Sequence, residues 1–320
     1  MPANWSLAQL PNQLPDQTGR RVLITGANSG IGYPAALELA RRGAHVVLAC
    51  RDRNRGEAAL SRLRIELPSA SIELLLLDLA SLDSVRDAAA RELDHNLPLD
   101  LLINNAGVMA PPKRRETEDG YELQFGTNVL GHFALTALLL PSLERAAAIP
   151  DRPAPRIVTV ASIAHKPGRI HFDDLQFTRR YSPMKAYQQS KLADLMFAFE
   201  LQRRLTAHRS RVLSVAAHPG VARTNLFQSG DYSATELALR KAMGYVIGAA
   251  LNTDADGAVP TLYAAASPDV TPGGYYGPQG LLEMRGGDAG PAKVSPQAND
   301  SEAARKLWNI CEELTHTRFF

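Results

Sequence analysis

Residues 21–32 read RVLITGANSGIG, and the fold follows from how that stretch divides. Arg21–Thr25 is a short, mostly apolar run, as expected of a strand covered on both faces. Gly26, Gly30 and Gly32 then remove side chains where the chain must turn sharply, and a helical pattern runs from about Gly32 to Arg42. A glycine turn between strand and helix aims unpaired N–H groups and the positive end of a helix dipole at one point, which suits an anion. In this position Gly26, Asn28, Ser29, Gly30, Ile31 and Gly32 form a candidate pyrophosphate cradle, where glycines elsewhere would only shape a turn. The spacing is G-x-x-x-G-x-G, distinct from the G-x-G-x-x-G of the broader dinucleotide fingerprint.

The same alternation continues outward. Apolar runs at His45–Ala49, Ile72–Leu77, Leu101–Asn104, Ile157–Ala161 and Val212–Ala216 read as further strands. Helical patterns fill the gaps at Arg53–Leu67, Ser81–Leu93, about Gly120–Ala148 and Ala186–Thr206. A last short strand at Tyr275–Tyr276 and a closing helix at Ser301–Glu313 follow. The pattern predicts an α/β protein with a single doubly wound parallel sheet (Rossmann type) flanked by helices. We expect an N-terminal arm at 1–20, with Trp5 packing it onto one domain at 21–320. The irregular stretches 164–185 and 226–253 are expected to form walls over a ligand.

Composition removes several function classes. The chain has 320 residues with 35 Lys and Arg against 33 Asp and Glu, a net charge of +2. That balance gives no field to attract nucleic acid or anionic lipid, so neither is an expected partner. Cys50 and Cys311 are too few for a disulfide framework and fit a reducing cytoplasm. Residues 1–20 are polar and proline-containing where a signal peptide needs an apolar core, and no apolar run approaches the roughly 20 residues that span a bilayer. The longest, around Phe133–Leu140, reads as a buried helix, so no membrane span is expected. His165, His171, Asp173 and Asp174 lack metal-ligand spacing and read as a solvated segment without a metal; Arg179-Arg180 reads likewise as a solvated charge run.

The ends of the strands carry the chemistry. An NAD site wants a carboxylate after the second strand for the ribose 2′-hydroxyl, whereas a 2′-phosphate wants a guanidinium. This chain has Cys50 and then Arg51, which favours NADP(H); the alternative is that Arg51 is a solvated loop residue. Asp78 beyond the third strand and Asn105-Ala106-Gly107 beyond the fourth also lie where open sheets bind ligands. Tyr187 and Lys191, four apart in KAYQQSKLADLMF, share one helix face. A free phenol titrates near ~10, too high for proton exchange at neutral pH unless an ammonium stabilises the phenolate. Tyr187 can then protonate a nascent alkoxide as hydride reaches the carbonyl carbon, with Ser162 donating to the same oxygen. Asn128 can anchor a water that relays protons to Lys191. Each has a duller reading: Y-x-x-x-K recurs by chance, Ser162 suits a cap, and Asn128 suits a satisfied core amide.

Taken together these residues resemble the short-chain dehydrogenase/reductase family. The resemblance rests on TGANSGIG (Thr25–Gly32), Asp78-Leu79, NNAG (Asn104–Gly107), Asn128, Ser162, YQQSK (Tyr187–Lys191) and HPG with Thr224, in the family's order. It implies Asn128, Ser162, Tyr187 and Lys191 as a catalytic tetrad, with Lys191 also bonding the nicotinamide ribose. It further implies Asp78 and Leu79 at the adenine, Asn105 on the adenine ribose side, and Pro219, Gly220 and Thr224 at the nicotinamide. VVLACRD, HFDDL and YYGPQG look closest to the branch of retinol dehydrogenases, WW-domain oxidoreductases and light-dependent protochlorophyllide reductases. Ser162 and Tyr187 stand 187 − 162 = 25 positions apart, longer than the family's usual loop, and residues 1–20 hold no apolar anchor. The expected function is NADP(H)-dependent hydride transfer on a carbonyl or alcohol of a small, hydrophobic substrate. The rivals are a non-catalytic NADP-binding sensor or scaffold and a light-driven pigment reductase. A homodimer or homotetramer through the two long helices is an expectation from the family, their outer faces being undetermined by sequence.

Overall fold

The computed structural model describes residues 5–6, 8–221, 252–286 and 288–320. Its centre is an eight-stranded sheet: β1 (Arg21–Thr25), β2 (His45–Cys50), β3 (Ile72–Leu76), β4 (Leu101–Asn104), β5 (Arg156–Val160), β6 (Leu213–Ala217), β7 (Tyr275–Pro278) and β8 (Ala289–Pro291). The spatial order is β3-β2-β1-β4-β5-β6-β7-β8, so the winding reverses between β1 and β4. Strands β1 to β7 pair in parallel. The helices are α1 (Leu10–Gln13), α2 (Gly32–Arg41), α3 (Arg53–Glu66), α4 (Leu82–Asp94), α5 (Gly131–Ala147), α6 (Pro183–Ala207), α7 (Asp254–Ala266) and α8 (Ser301–Thr315).

Strand alternation divides the core into two layers. Leu23, Val47, Ala49 and Leu102 point into one, shared with Phe133 of α5, Leu201 of α6 and Trp308 of α8. Val22, Ile24, Leu48 and Ile103 point into the other, shared with Ala35 and Leu39 of α2 and Leu262 of α7. Trp5 joins the second layer: its ring meets Tyr263 edge-on at 5.4 Å and its carbonyl accepts from Ala289 N. Trp5 thus packs on α7 and the β8 edge of the sheet.

The structure corrects several boundaries. The helix expected from about Gly120 begins near Leu123, and Phe125–Leu130 forms a π-helical turn before α5. One-turn π-bulges of this kind cluster at functional sites, and this one contains Asn128. Helix α6 starts at Pro183 rather than Ala186, with proline in the first turn, where its missing N–H costs nothing. The sheet gains β8, an antiparallel edge strand whose Ala-Gly-Pro sequence gives no strand signal.

The apolar helix holds its expected place. Phe125–Ala147 is long and apolar enough to cross a membrane, yet 89% of its apolar window is buried inside the protein. On the α5/α6 side, α8 brings Trp308 into stacking with Phe197 of α6 at 5.8 Å and edge-on contact with Phe133 of α5 at 5.0 Å. Phe319 completes the cluster, 5.0 Å from Phe133.

Candidate active site

The glycine turn sits at the carboxyl end of β1, beside the reversal of strand order. Gly26 and Gly30 have φ of +67° and +56°, a region that favours glycine. Gly32 has a different reason to be glycine: a Cβ there would lie 2.5 Å from Asn105 Nδ2 and 2.6 Å from the Gly26 carbonyl oxygen. Its backbone is wedged against the turn, so glycine is needed for close approach.

A neutral hydrogen-bond network braces this turn. Asn105 N and Ala106 N both donate to Thr25 Oγ1 at 2.9 Å, and Asn105 Nδ2 donates to Thr25 O at 2.7 Å. Thr25 Oγ1 lies 2.9 Å from His132 Nε2, nearer than its other acceptor, Ile103 O at 3.4 Å. The hydroxyl proton therefore goes to Nε2, leaving the His132 proton on Nδ1, which donates to Asn128 O at 2.9 Å. Burial pushes the His132 imidazole down to about 4, so it is neutral at pH 7. His132 was missed in the sequence; its position one turn after Asn128 was the available signal.

A cleft of about 360 Å³ follows this line of strand ends. Gly26, Asn28, Ser29, Gly30 and Ile31 line it from the first turn, and Cys50, Arg51 and Arg55 line it beyond β2. Arg51 is 70% exposed, with Nε 3.8 Å from Asp78 Oδ2, a loose pair that leaves the guanidinium free to meet another anion. Arg55, in the first turn of α3 and not singled out in the sequence, adds a second cation. Asp78, Leu79, Asn105, Ala106 and Gly107 line the middle; Pro219 and Gly220 close the far end. Asp78 Oδ1 accepts from Ala80 N, and Asn105 Nδ2 is turned to the Thr25 carbonyl of the glycine turn. Thr224 and most of the expected wall 226–253 lie outside the described residues.

Ser162, Tyr187 and Lys191 reach the same cleft, whereas Gly32 and Asn128 stand behind it. Both readings of Ser162 coexist: its Oγ accepts from Ala164 N at 3.1 Å, capping a short turn, which leaves the hydroxyl proton free for a ligand oxygen. Tyr187 is 8% exposed and electrostatically coupled to Lys191. Lys191 Nζ donates to Val160 O at 2.9 Å and to Asp194 Oδ2 at 2.8 Å. Burial works against the Lys191 ammonium, but the charge of Asp194 and the phenol of Tyr187 hold its pKa above the usual lysine value. Asp194 is a second residue missed in the sequence, although i,i+3 spacing puts it on the face of Lys191. Asn128 is a satisfied amide: Nδ2 donates to Val108 O and Ser190 Oγ, and Oδ1 accepts from Val108 N. A Cβ at Gly107 would lie 3.3 Å from Asn128 Oδ1, a tight contact, and an ordinary 3.8 Å from Lys191 Nζ, so this glycine borders both.

The 164–185 segment, expected as a wall, packs on the stretch after β4 and adds no residue to the lining of the cleft. Tyr181 Oη donates to Pro111 O at 2.9 Å and Arg114 Nε to Gln176 O at 2.9 Å. One correction concerns His165, read as part of a solvated segment. It is fully buried, donating from Nδ1 to Ser162 O at 2.7 Å and accepting at Nε2 from Ser295 N. Among the described residues no cluster of three or more His, Cys, Asp or Glu could hold a metal ion.

A glycine turn at the strand-order reversal, faced by a phenol and a buried ammonium one helical turn apart, defines a dinucleotide-dependent oxidoreductase. The comparisons agree. Residues 20–233 match the family model described as short chain dehydrogenase. The chain is 43% identical over 298 residues to human retinol dehydrogenase 13, covering 91% of this chain and 82% of that protein. It is 42% identical over 299 residues to mouse polyprenol dehydrogenase, covering 93% and 84%. Among solved structures it resembles an uncharacterised protein from Mycobacterium paratuberculosis, with a TM-score of 0.77 and 43% identity over 99% of this chain and 100% of that one. It also resembles an NAD(P)-dependent gluconate 5-dehydrogenase from Beutenbergia cavernae with bound NADP, with a TM-score of 0.56 and 26% identity over 78% and 90%. The chain belongs to the short-chain dehydrogenase family, in its retinol-dehydrogenase-like branch, and is an oxidoreductase of CH–OH and C=O groups.

Proposed function

We propose that this enzyme uses NADP(H) to interconvert a carbonyl and an alcohol on a small hydrophobic substrate, with Tyr187 as the proton donor and acceptor. The observation that carries the reading is the junction of Tyr187, Lys191 and Ser162 with the glycine turn along one cleft. The residues fit the dinucleotide: Gly26 and Gly30 open the turn's backbone to the cleft, and the β2 end offers Arg51 and Arg55 with Cys50 where a carboxylate would select NAD. When bound, the nicotinamide supplies or accepts the hydride.

The protein handles the proton. In the direction of reduction Tyr187 gives its phenolic proton to the carbonyl oxygen, and the Lys191 ammonium stabilises the phenolate left behind. Ser162 Oγ donates its free proton to the same oxygen, fixing its place and sharing its developing charge. Asn128 acts from behind by tying Val108 to α6 through Ser190, so its amide shapes the cleft. Arg51 meets the 2′-phosphate; Asp78 and Leu79 border the adenine, and Pro219 and Gly220 the nicotinamide. We read residues 21–320 as one catalytic domain behind the 1–20 arm. A cytoplasmic location belongs to the same reading, supported by the two buried free cysteines, Cys50 and Cys311. The α8 cluster on α5 and α6 argues against dimerisation through the covered face of the two long helices.

Tyr187→Phe removes one oxygen. We expect kcat/KM to fall about 1,000-fold on an accepted ketone or aldehyde, within the range for losing a general acid, while NADPH binding by fluorescence is retained. Near wild-type turnover would overturn the mechanism.

A further inference from the structure

Lys191 has a partner that the proton-transfer scheme does not use. Asp194 lies one turn further along α6, its side chain 4% exposed against 7% for Lys191, and its Oδ2 sits 2.8 Å from Nζ. With Val160 O, this contact uses two of the three ammonium protons and fixes the direction of the third. Few other charges compete for the pair. Strand β5 contributes only the Val160 carbonyl oxygen. His132 of α5 is neutral at pH 7. Cys311 of α8 has its thiol pushed far up by burial and by the nearby Asp194 charge, so it stays protonated. His165 of the turn after β5 is held down by burial and neutral, and the buried phenol of Tyr275 on β7 faces Tyr187 with its pKa well above the usual value. Among these neighbours, Asp194 is the negative charge next to Lys191.

A carboxylate in that place changes what Tyr187 and Lys191 do together. In that scheme the phenol and the ammonium act on one proton, so a charge beside either is felt by the other. A negative charge behind the ammonium favours the protonated state of the pair, whichever member gives up its proton first. It also keeps a buried lysine, which desolvation would otherwise discharge, in its charged form.

We propose that Asp194 is a positioning residue of this enzyme: held against Lys191 Nζ inside the protein, its carboxylate aims the ammonium and sets the pH range in which Tyr187 exchanges a proton. The inference rests on reading Tyr187 and Lys191 as the proton-transfer pair. Burial supports a second consequence: it pushes the Asp194 carboxyl up to about 6 against the pull of Lys191, so the control weakens in mildly acidic solution.

The test is Asp194→Asn, which preserves an oxygen acceptor for Nζ and removes the charge. The pH profile of carbonyl reduction should lose its alkaline limb about one pH unit earlier than the wild type, and the acid limb of alcohol oxidation should move down by the same amount. The maximum kcat should fall less than tenfold, because every group that touches substrate is intact. A purely structural Asp194 would lower thermal stability and leave both limbs in place; that result, or an upward shift, overturns the proposal. A substrate-free readout separates it from the enzymatic reading: phenolate absorbance, taken as the difference between each protein and its Tyr187→Phe counterpart, should develop at lower pH in Asp194→Asn. If the wild type turns over nothing but this absorbance still shifts, the function is wrong and the electrostatic role stands. Should Asp194→Asn fail to fold, Asp194→Ser removes the same charge in a smaller volume and is read in the same two ways.

Discussion

The two ends of the cleft are braced by opposite means. At the nucleotide end the glycine turn is held by Thr25, Asn105, Ala106 and His132, a network with no net charge at neutral pH. At the reactive end Lys191 is held by a buried carboxylate and a carbonyl oxygen. The difference follows from the task. A cradle for pyrophosphate needs fixed N–H groups and open backbone, which uncharged bonds supply without competing for the anion. A proton-exchanging phenol needs a field, and a field inside a protein needs charges with compensation.

Removing a charge at the reactive end should therefore cost most. Lys191→Met is expected to lower kcat/KM at least about 1,000-fold, as loss of the group that stabilises the phenolate. It also leaves Asp194 buried and unpaired, a change that costs about 3–5 kcal/mol where the charge persists. Because Asp194 is already poised near 6, protonation relieves part of this at neutral pH. Urea unfolding should show Lys191→Met destabilised, and more so at pH 8 than at pH 6. Adding Asp194→Leu should restore stability and leave turnover lost. A stable, active Lys191→Met would erase the contrast between the two ends.

At the nucleotide end the sensitive element is space. A methyl group at Gly32 meets Asn105 Nδ2 at 2.5 Å and Gly26 O at 2.6 Å, both committed to the turn. Overpacking of this kind costs about 1–3 kcal/mol. Isothermal titration should show the NADPH Kd of Gly32→Ala raised about 10- to 100-fold, the same free energy expressed as affinity. Unchanged binding would mean that the turn does not cradle the ligand.

The two ends also differ in how far the sequence revealed them. The glycine turn was legible because Gly26, Gly30 and Gly32 follow a strand and open a helix, and the need for glycine is a backbone property local to the sequence. Strands β1 to β6 were legible to within a residue or so because central parallel strands are apolar on both faces. Strand β8 was not, since an edge strand of Ala-Gly-Pro is defined by its partner. The π-turn was likewise hidden: Gly131 packs so closely on Leu79 O that a Cβ would lie 2.4 Å away, and such contacts are set by tertiary approach. Tyr187 and Lys191 were visible as an i,i+4 pair, whereas the importance of Asp194 depends on its burial beside Nζ. His165 reads as part of a solvated polar segment, yet its ring partners are a carbonyl nearby, the Tyr275 hydroxyl and a backbone N–H 130 positions away, which only the fold brings together.

Arg51 tests one loosely held charge of those that the nucleotide end presents to its ligand. Its side chain is 70% exposed and only loosely paired, so Arg51→Ala should leave folding unaffected. Removing a guanidinium from a phosphate at such a site is expected to weaken NADPH about 10-fold, with NADH unchanged. Equal wild-type affinities for NADPH and NADH would refute the cofactor assignment.

The smallest effect is the pH dependence of stability, where the two ends pull in opposite directions. Burial depresses His132 from 6.5 to about 4, so between these values the unfolded chain binds more protons than the folded one. Its contribution is present above pH 6.5 and is lost as pH falls towards 4. Asp194 has the reverse sign: with its carboxyl raised to about 6 from 3.8, the folded protein takes up a proton first, which offsets part of the loss between pH 6 and 4. The urea midpoint should therefore decline from pH 7 to pH 4.5, and decline more steeply in Asp194→Asn, which lacks the offset. A parallel decline in the two proteins would show that the carboxylate beside Lys191 does not titrate in this window, and that the charged end is as indifferent to mild acid as a surface ion pair.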